Sequence, residues 1–163
     1  MSGTREAKGR LSLEEMSDRF LIQDLIVEEA AAIDERDWDR WEATYVPDAA
    51  IDWSGNGGAK GDPKAIRSWA SGVLSEANFP YPQYQHYCTN FRIRIDGDRA
   101  TSRHLQIIPI SVPAPEGGRQ IAFSGIWFED ELARTADGWR IAARREFRAW
   151  QHNFPATFAV PEP

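Results

Sequence analysis

The sequence has few of the residues that would tie it to a disulfide, a metal or a polyanionic partner. It contains one cysteine and three histidines in 163 residues, and a single thiol cannot form an internal disulfide. No short ligand spacing such as His-x-His occurs, so neither a metal nor a cofactor is expected. Acidic residues outnumber basic ones by 25 to 19. Because phosphate recognition needs an excess of basic side chains, nucleic acid is not expected as a partner.

Long apolar runs are missing as well. No stretch approaches the roughly 20 residues that cross a bilayer, and the N-terminal segment MSGTREAKGRLSLEEM is polar. We therefore expect a soluble, cytoplasmic protein without membrane contact. The segment SGNGG at residues 54–58 lacks the Lys-Ser/Thr ending of a phosphate loop and is interpreted as a flexible loop.

Large aromatic residues are abundant, with seven Trp and eight Phe in a chain long enough for one domain. Such flat side chains can line a pocket as well as fill a core. Residues 1–11 lack apolar periodicity and are predicted to be disordered, residues 12–150 form the predicted domain, and residues 151–163 form an extended C-terminal tail.

Helical periodicity dominates the first half of the domain. Ser12 and Glu15 have the spacing of a capping box, which predicts a helix over residues 13–34. A short helix is predicted at residues 38–45, and a third begins after Asp62-Pro63 and ends near residue 76. The predicted buried stripe of the first helix consists of Leu13, Met16, Phe20, Val27 and Ala31.

Alternating apolar residues dominate the second half. Strands are predicted near residues 49–53, 85–95, 99–110, 119–133 and 139–150. The segments DGD at 96–98 and ADG at 136–138 are typical of hairpin turns. Helices followed by a long meander indicate an α+β fold, in which a curved, mixed and mostly antiparallel sheet wraps on the helices.

Asp34 is a polar residue at an apolar position. At about 100° per residue it stays within about 40° of the predicted stripe of the first helix. Its carboxylate would then face the core and need a hydrogen-bonding or cationic partner. Alternatively, Asp34 ends the helix and points to solvent within the polar segment DERDWD.

His86 is a candidate partner for Asp34, although a lone histidine at a strand end is also commonly structural. His104 lies on the next strand, and the two imidazoles share a face if the intervening turn has three residues but not if it has two. Spacing leaves this open. Cys88 has the parity of His86, which permits a Cys-His nucleophile pair, although buried cysteines are usually inert.

The last predicted strand, WRIAARREFRAW, is rich in charge. Alternation places Arg145 on one face, and on the other it places Arg140, Arg144, Glu146 and Arg148. Most of these are expected on a solvated face. An arginine that points into an apolar interior would instead bind an anion or a developing oxyanion.

Three segments carry a family resemblance: IQDLIVEEAAAIDERDWDRWEATYVPDAAIDW, HYCTNFRIRIDGDRATSRH and FEDELARTADGWRIAARR. In this order they resemble the SnoaL-like branch of the nuclear-transport-factor-2-like superfamily over roughly residues 12–150. The most similar group contains hexachlorocyclohexane dehydrochlorinase, scytalone dehydratase and bile-acid dehydratase. The resemblance implies a cone-shaped, cystatin-like α+β barrel.

The resemblance also implies site residues. The dehydrochlorinase has a catalytic dyad of an Asp in an IQDL...D context and a His in an HY-x-TN strand, which match Asp34 and His86. Its arginine five residues after a Trp matches Arg144, which follows Trp139. The second histidine of scytalone dehydratase is matched by His104.

These matches imply a cofactor-independent lyase of the dehydratase, dehydrohalogenase or deformylase type that acts on a small, apolar cyclic or aromatic substrate. His86 would remove a proton, and His104, Tyr45 or Arg144 would assist the departing group. The predicted pocket residues are Tyr45, Trp53, Cys88, Phe123, Trp127 and Phe147. Alternatives are an isomerase, a polyketide-cyclase-like enzyme or a non-catalytic binding domain. The resembled dehydratases imply a homo-oligomer, as a trimer in preference to a dimer.

Overall fold

Three helices accompany the sheet in the computed structural model, which describes residues 11–78 and 83–155. They are α1 (Leu13–Glu35), α2 (Trp38–Ala43) and α3 (Pro63–Val73). The predicted caps are confirmed: Ser12 Oγ accepts the Glu15 N–H at 3.0 Å, and Asp62 Oδ1 accepts the Ala65 N–H at 2.8 Å. None of the described helices is long and apolar enough to cross a membrane.

The strands form one curved, unclosed sheet. They are β1 (Tyr45–Asp52), β2 (Lys60–Gly61), β3 (Tyr87–Asp96), β4 (Arg99–Pro113), β5 (Arg119–Thr135) and β6 (Gly138–His152). Their order is β2-β1-β6-β5-β4-β3, in which β1 runs parallel to β6 and the other neighbours are antiparallel. The expected α+β fold with a mixed, mostly antiparallel sheet is confirmed. Residues 1–10 and 156–163, which hold most of the predicted disordered segment and tail, lie outside the described residues.

The predicted buried stripe of α1 is wrong. Leu13 is 82% exposed and Phe20 is 67% exposed, and Val27 is also on the solvent side. The face that packs on the sheet instead carries Asp18, Ile22, Ile26, Glu29, Ala30 and Ile33. Two carboxylates interrupt the apolar pattern of this buried face. The exposed stripe is more uniformly apolar, and for that reason it was predicted to be the buried one.

Both carboxylates on this face of α1 have partners that explain their burial. Asp18 accepts two hydrogen bonds from the Arg134 guanidinium, at 2.9 and 2.6 Å, and one from Trp139 Nε1 at 3.0 Å. Glu29 Oε1 accepts from Trp41 Nε1 at 2.9 Å and from the Tyr45 hydroxyl at 2.8 Å. Buried carboxylates are tolerated when donors replace their lost hydration, and here they attach α1 to the sheet.

A β-bulge sets which residues of β3 and β4 share a face. The turn between these strands has two residues, Gly97 and Asp98, because Asp96 pairs with Arg99. Such a turn alone would give His86 and His104 opposite parity. However, the register shifts between Thr89 and Arg92, where Asn90 has a left-handed φ of 58°. This extra residue restores the shared parity, so that both histidines lie on one face.

A second bulge corrects the predicted face of β6. Leu132 pairs with Ile141, whereas Glu131 pairs with Ala143, so one extra residue interrupts the alternation of β6. Arg140 therefore lies on the opposite face from Arg144, contrary to the prediction. We call the face that packs on α1 and carries His104 and Phe128 the inner face, and the other the outer face.

Candidate active site

Asp34 and His86 meet where the last turn of α1 passes the start of β3. Asp34 Oδ1 lies 2.6 Å from His86 Nδ1, and Asp34 Oδ2 accepts the His86 backbone N–H at 2.9 Å. Because a carboxylate can only accept, the short contact makes Nδ1 the donor, and in the neutral imidazole the lone pair then lies on Nε2. The His86 and Asp34 side chains are 11% and 23% exposed, so the pair is sheltered yet reachable.

The local structure explains why this carboxylate needs donors. Asp34 stands near the C-terminus of α1, where the helix dipole disfavours a negative charge. The helix ends at Arg36, which has a left-handed φ of 56° and donates from Nε to the Leu74 carbonyl at 2.7 Å. Tyr84 donates to the Ile33 carbonyl at 3.3 Å, and its ring meets His86 edge-on at 5.9 Å. These contacts hold the dyad between α1 and the residues before β3.

Polar residues continue along the inner face in rows that run across the strands. Next to the dyad lie Cys88, Gln106, Ile126 and Arg148. The following row contains Phe91, His104, Phe128 and Glu146, and the row after it contains Ile93, Ser102, Asp130 and Arg144. His86 and His104 therefore share a face but are separated by the row of Cys88.

His104 is enclosed by aromatic rings. It is fully buried, and its ring stacks between Phe91 at 5.5 Å and Phe128 at 5.4 Å. Its Nδ1 lies 3.4 Å from Asp130 Oδ2, and its Nε2 lies 3.4 Å from Gln106 Nε2. Only the Nε2 edge, beside Gln106, is directed toward the row nearest the dyad. The described residues hold no group of three metal-ligating side chains.

Arg144 is fully buried and engaged by two carboxylates. It donates to Asp130 from Nε at 2.7 Å and from Nη2 at 3.2 Å, and its Nη1 lies 2.5 Å from Glu29 Oε2. Burial would lower the pKa of Arg144, but Asp130 and Glu29 hold it well above its ordinary value. With these carboxylates on its fork, Arg144 is placed to fix Asp130 behind His104 rather than to receive an anion.

Burial also sets the protonation of two neighbouring groups. It raises the pKa of the Tyr45 hydroxyl well above its ordinary value, and Glu29 raises it further while Arg144 lowers it. Burial, followed by the charge of Glu29, raises the pKa of the Cys88 thiol to about 12. Cys88 therefore stays a thiol near neutral pH, which argues against a cysteine nucleophile.

The predicted pocket residues divide between the two faces. Tyr45, Trp53 and Cys88 lie on the inner side with the dyad, where the Trp53 ring packs against Trp41 and Trp69. Phe123, Trp127 and Phe147 lie on the outer face, so their prediction as pocket walls is corrected. The pairing of β5 with β4 is regular, and every odd-numbered residue of β5 therefore points away from α1.

Sequence reasoning did not single out the buried acids Glu29, Asp130 and Glu146 as site residues. Their signal was position: Glu29 lies at helical spacing between Ile26 and Ile33, and Asp130 alternates with Phe128. Each is a carboxylate at a position where periodicity requires a core residue. Such a residue needs a buried cation, a donor or a bound proton.

One open cleft of about 1390 Å³ lies away from the dyad. Its lining includes Glu15, Arg19, Lys60, Arg92, Arg103 and Glu129, but neither Asp34 nor His86. The lining also includes Phe91, Ser102, Asp130 and Arg144 of the inner face, so that the cleft reaches the rows that contain His104 and Arg144.

Comparisons with known proteins agree with this architecture. The uncharacterized protein Rv2910c of Mycobacterium tuberculosis is 39% identical over 144 residues, which cover 88% of this chain and 94% of that protein. A candidate aromatic ring hydroxylase of Novosphingobium aromaticivorans superposes with a TM-score of 0.72 at 26% identity, covering 89% of this chain and 98% of that structure. Hexachlorocyclohexane dehydrochlorinase (LinA) type 2 superposes with a TM-score of 0.66 at 21% identity, covering 91% and 97%. The family model of the SnoaL-like domain matches residues 14–145. The chain therefore belongs to the SnoaL-like domain family.

Proposed function

We propose that this protein is a cofactor-independent lyase that acts on a small, largely apolar cyclic or aromatic molecule, with His86 as the general base. The observation that carries the proposal is the 2.6 Å contact between Asp34 Oδ1 and His86 Nδ1. It fixes the tautomer in which Nε2 can accept a proton. A positioned base of this kind typically contributes about 10² to 10⁴-fold to the rate.

The reaction would begin when His86 Nε2 removes a proton from the substrate. The imidazole becomes an imidazolium, whose charge is balanced by the carboxylate that already contacts Nδ1. The electron pair of the broken bond forms a double bond as water, a halide or another group departs. His104 is the candidate for assisting that departure, through its Nε2 edge. Arg144 is a positioning residue that acts on His104 through Asp130.

The membership of a dehydrochlorinase among the structural neighbours supports this reaction class, although fold alone does not determine chemistry. A further support is the inner face itself. It carries His86, the second imidazole of His104 and buried aromatic side chains, and the raised pKa of the Cys88 thiol keeps that thiol protonated.

The test is a screen of synthetic cyclic substrates bearing hydroxyl, halide or hydroxymethyl leaving groups, with product analysis for water, halide or formaldehyde. The wild type should release one of these groups, and His86→Ala should lose nearly all turnover while remaining folded by circular dichroism. Exchange of substrate hydrogen with solvent deuterium without release of a group would instead indicate an isomerase. Equal turnover in the wild type and in His86→Ala would overturn the proposal.

A further inference from the structure

We propose that Gln106 is a substrate-binding residue whose side-chain oxygen accepts a hydrogen bond from a hydroxyl or N–H group of the substrate, in the row next to the dyad. His104 and Cys88 are positioning residues that orient its amide. This inference rests on the proposed function, in which His86 is the base, and it narrows the substrate class. The apolar ring would carry a hydrogen-bond donor close to the carbon that His86 deprotonates.

The amide nitrogen of Gln106 contacts two acceptors. Gln106 Nε2 lies 3.4 Å from His104 Nε2, and Cys88 pairs with Gln106 directly across β3 and β4. Burial raises the pKa of the Cys88 thiol to about 12, and a hydrogen bond with the Gln106 side chain opposes this shift. A bond that opposes the shift favours the thiolate, so Gln106 is its donor. An amide nitrogen carries two N–H groups, which these two contacts use.

The surroundings of His104 support this orientation of the amide. His104 Nδ1 lies 3.4 Å from Asp130 Oδ2. Burial would raise the pKa of Asp130, but the charge of Arg144 and the hydrogen bond with His104 hold it below its ordinary value, so Asp130 is a carboxylate. A carboxylate beside Nδ1 favours the ring hydrogen there, and in the neutral imidazole the lone pair then lies on Nε2. This lone pair accepts from the Gln106 amide, while the stacked phenyl rings restrict rotation of the imidazole.

The oxygen of the same amide has no partner. Within residues 11–78 and 83–155, Gln106 Oε1 accepts no hydrogen bond, although the residue as a whole is 2% exposed. The oxygen is not fully enclosed, in contrast to the unpaired Ser102 and Ser124 hydroxyls. Rotating the amide by half a turn would set its oxygen against the lone pair of His104 Nε2. The oxygen is therefore a fixed acceptor, and a donor on a ligand would satisfy it.

Gln106 is a diagonal neighbour of His86 on the inner face. The strand register places His86 opposite Ile108, which is two residues from Gln106 on β4. Diagonal neighbours on adjacent strands are about 7–8 Å apart. Cys88 adjoins both residues, two positions from His86 and directly opposite Gln106, and it is partly exposed. A small ring bound over Cys88 would therefore meet the base and the free oxygen together, which places the donor of the substrate within a few bonds of the carbon that loses its proton.

The experiment compares two nearly isosteric probes, 2-naphthol, which has an O–H donor, and 2-fluoronaphthalene, which has none. Dissociation constants are measured by ligand-observed NMR with the full chain. One net hydrogen bond corresponds to about fivefold to tenfold tighter binding, so the wild type should prefer 2-naphthol by that factor. Gln106→Met removes the acceptor at similar size and should abolish the preference. Gln23→Met, at a partly exposed position of α1, is the matched control and should keep it.

The positioning roles have their own spectroscopic test. Proton–nitrogen correlation spectra should show the Nδ1–H tautomer of His104 in the wild type. The side-chain amide signals of Gln106 should shift more on binding of 2-naphthol than on binding of 2-fluoronaphthalene. His104→Phe keeps an aromatic ring between the phenyl rings but removes the acceptor of the amide, so the preference for 2-naphthol should fall in a folded protein. Cys88→Ser retains an acceptor and should keep the preference.

Repeating the titrations with His86→Ala separates this site from the proposed function. A 2-naphthol preference that persists in that variant supports the role of Gln106 even if no synthetic substrate is turned over. Turnover that depends on His86, combined with equal binding of the two probes, would leave the lyase standing and overturn the role of Gln106. Failure of both probes to bind would also overturn it, and so would the Nε2–H tautomer of His104. If Gln106→Met does not fold, the wild-type preference and the amide signals of Gln106 decide the question, and amide signals unmoved by 2-naphthol would overturn the role.

Discussion

Asp34 contacts His86 at two points, the ring Nδ1 at 2.6 Å and the backbone N–H at 2.9 Å. Asp34→Asn keeps the shape of the side chain but cannot accept at both points. We expect turnover to fall by about 10² to 10⁴-fold with KM within several-fold, because the imidazolium loses its counter-charge. Steady-state kinetics measure this effect. Asp24→Asn, at an exposed position of the same helix, is the matched control and should behave as the wild type.

The pair of adjacent arginines Arg144 and Arg145 offers a test of burial. Arg144→Met leaves the carboxylates of Glu29 and Asp130 without their cation, which should cost about 3–5 kcal/mol of unfolding free energy. Arg144→Lys retains a charge but not the two bonds to Asp130, and it should be intermediate. Arg145→Lys, whose side chain is 66% exposed, should change stability by less than about 0.5 kcal/mol. Urea denaturation measures all three, and equal effects of both lysine substitutions would contradict the buried network.

The sequence predicted the order of the elements and the contact between Asp34 and His86 more reliably than it predicted which face of each helix and strand each residue lies on. The capping residues, the helices and the meander follow local rules, since each depends on neighbours within a few residues. By contrast, the predicted buried face of α1 was wrong because Asp18 and Glu29 are buried against partners that lie far away in the chain. Arg134, which binds Asp18, is more than 100 residues away, and the partners of Glu29, which include Arg144, are all more than 10 residues away. The parity of His104 depended on a bulge at Asn90 that alternation alone does not reveal.

Cys88 is the only cysteine in the chain, so its reactivity can be measured without other substitutions. With the pKa of its thiol raised to about 12 by burial and by Glu29, iodoacetamide should label the native protein slowly at pH 8. The unfolded protein in urea should be labelled at the rate of a free thiol. Cys88→Ser should keep at least a substantial part of the turnover. Loss of activity on alkylation at the rate of a free thiol would contradict an inert Cys88.

Glu146 should make stability depend on pH in a defined direction. Its pKa is about 8 in the folded protein against an ordinary value of 4.5, so between these values the folded state holds a proton that the unfolded state releases. The unfolding free energy should therefore fall as pH rises from about 4.5 to about 8, with no further contribution from Glu146 above that range. Glu146→Gln should remove this part of the slope. Glu131→Gln, at an exposed position on the outer face, is the control and should leave the slope intact.

The last prediction concerns assembly. Large apolar side chains on the outer face remain exposed, including Tyr87 at 56%, Ile121 at 49% and Trp150 at 41%. Apolar surface of this kind is commonly covered by association, and closed symmetric oligomers are the usual form. We expect a homo-oligomer, as a trimer in preference to a dimer, and light scattering should return about three times the chain mass of 18.5 kDa. Ile121→Glu should shift the protein toward the monomer, because it would place a charge in the apolar contact. Phe20 lies on the exposed side of α1, so Phe20→Glu tests whether the subunits associate through that side of α1 instead. A monomer at micromolar concentration in the wild type would contradict the prediction.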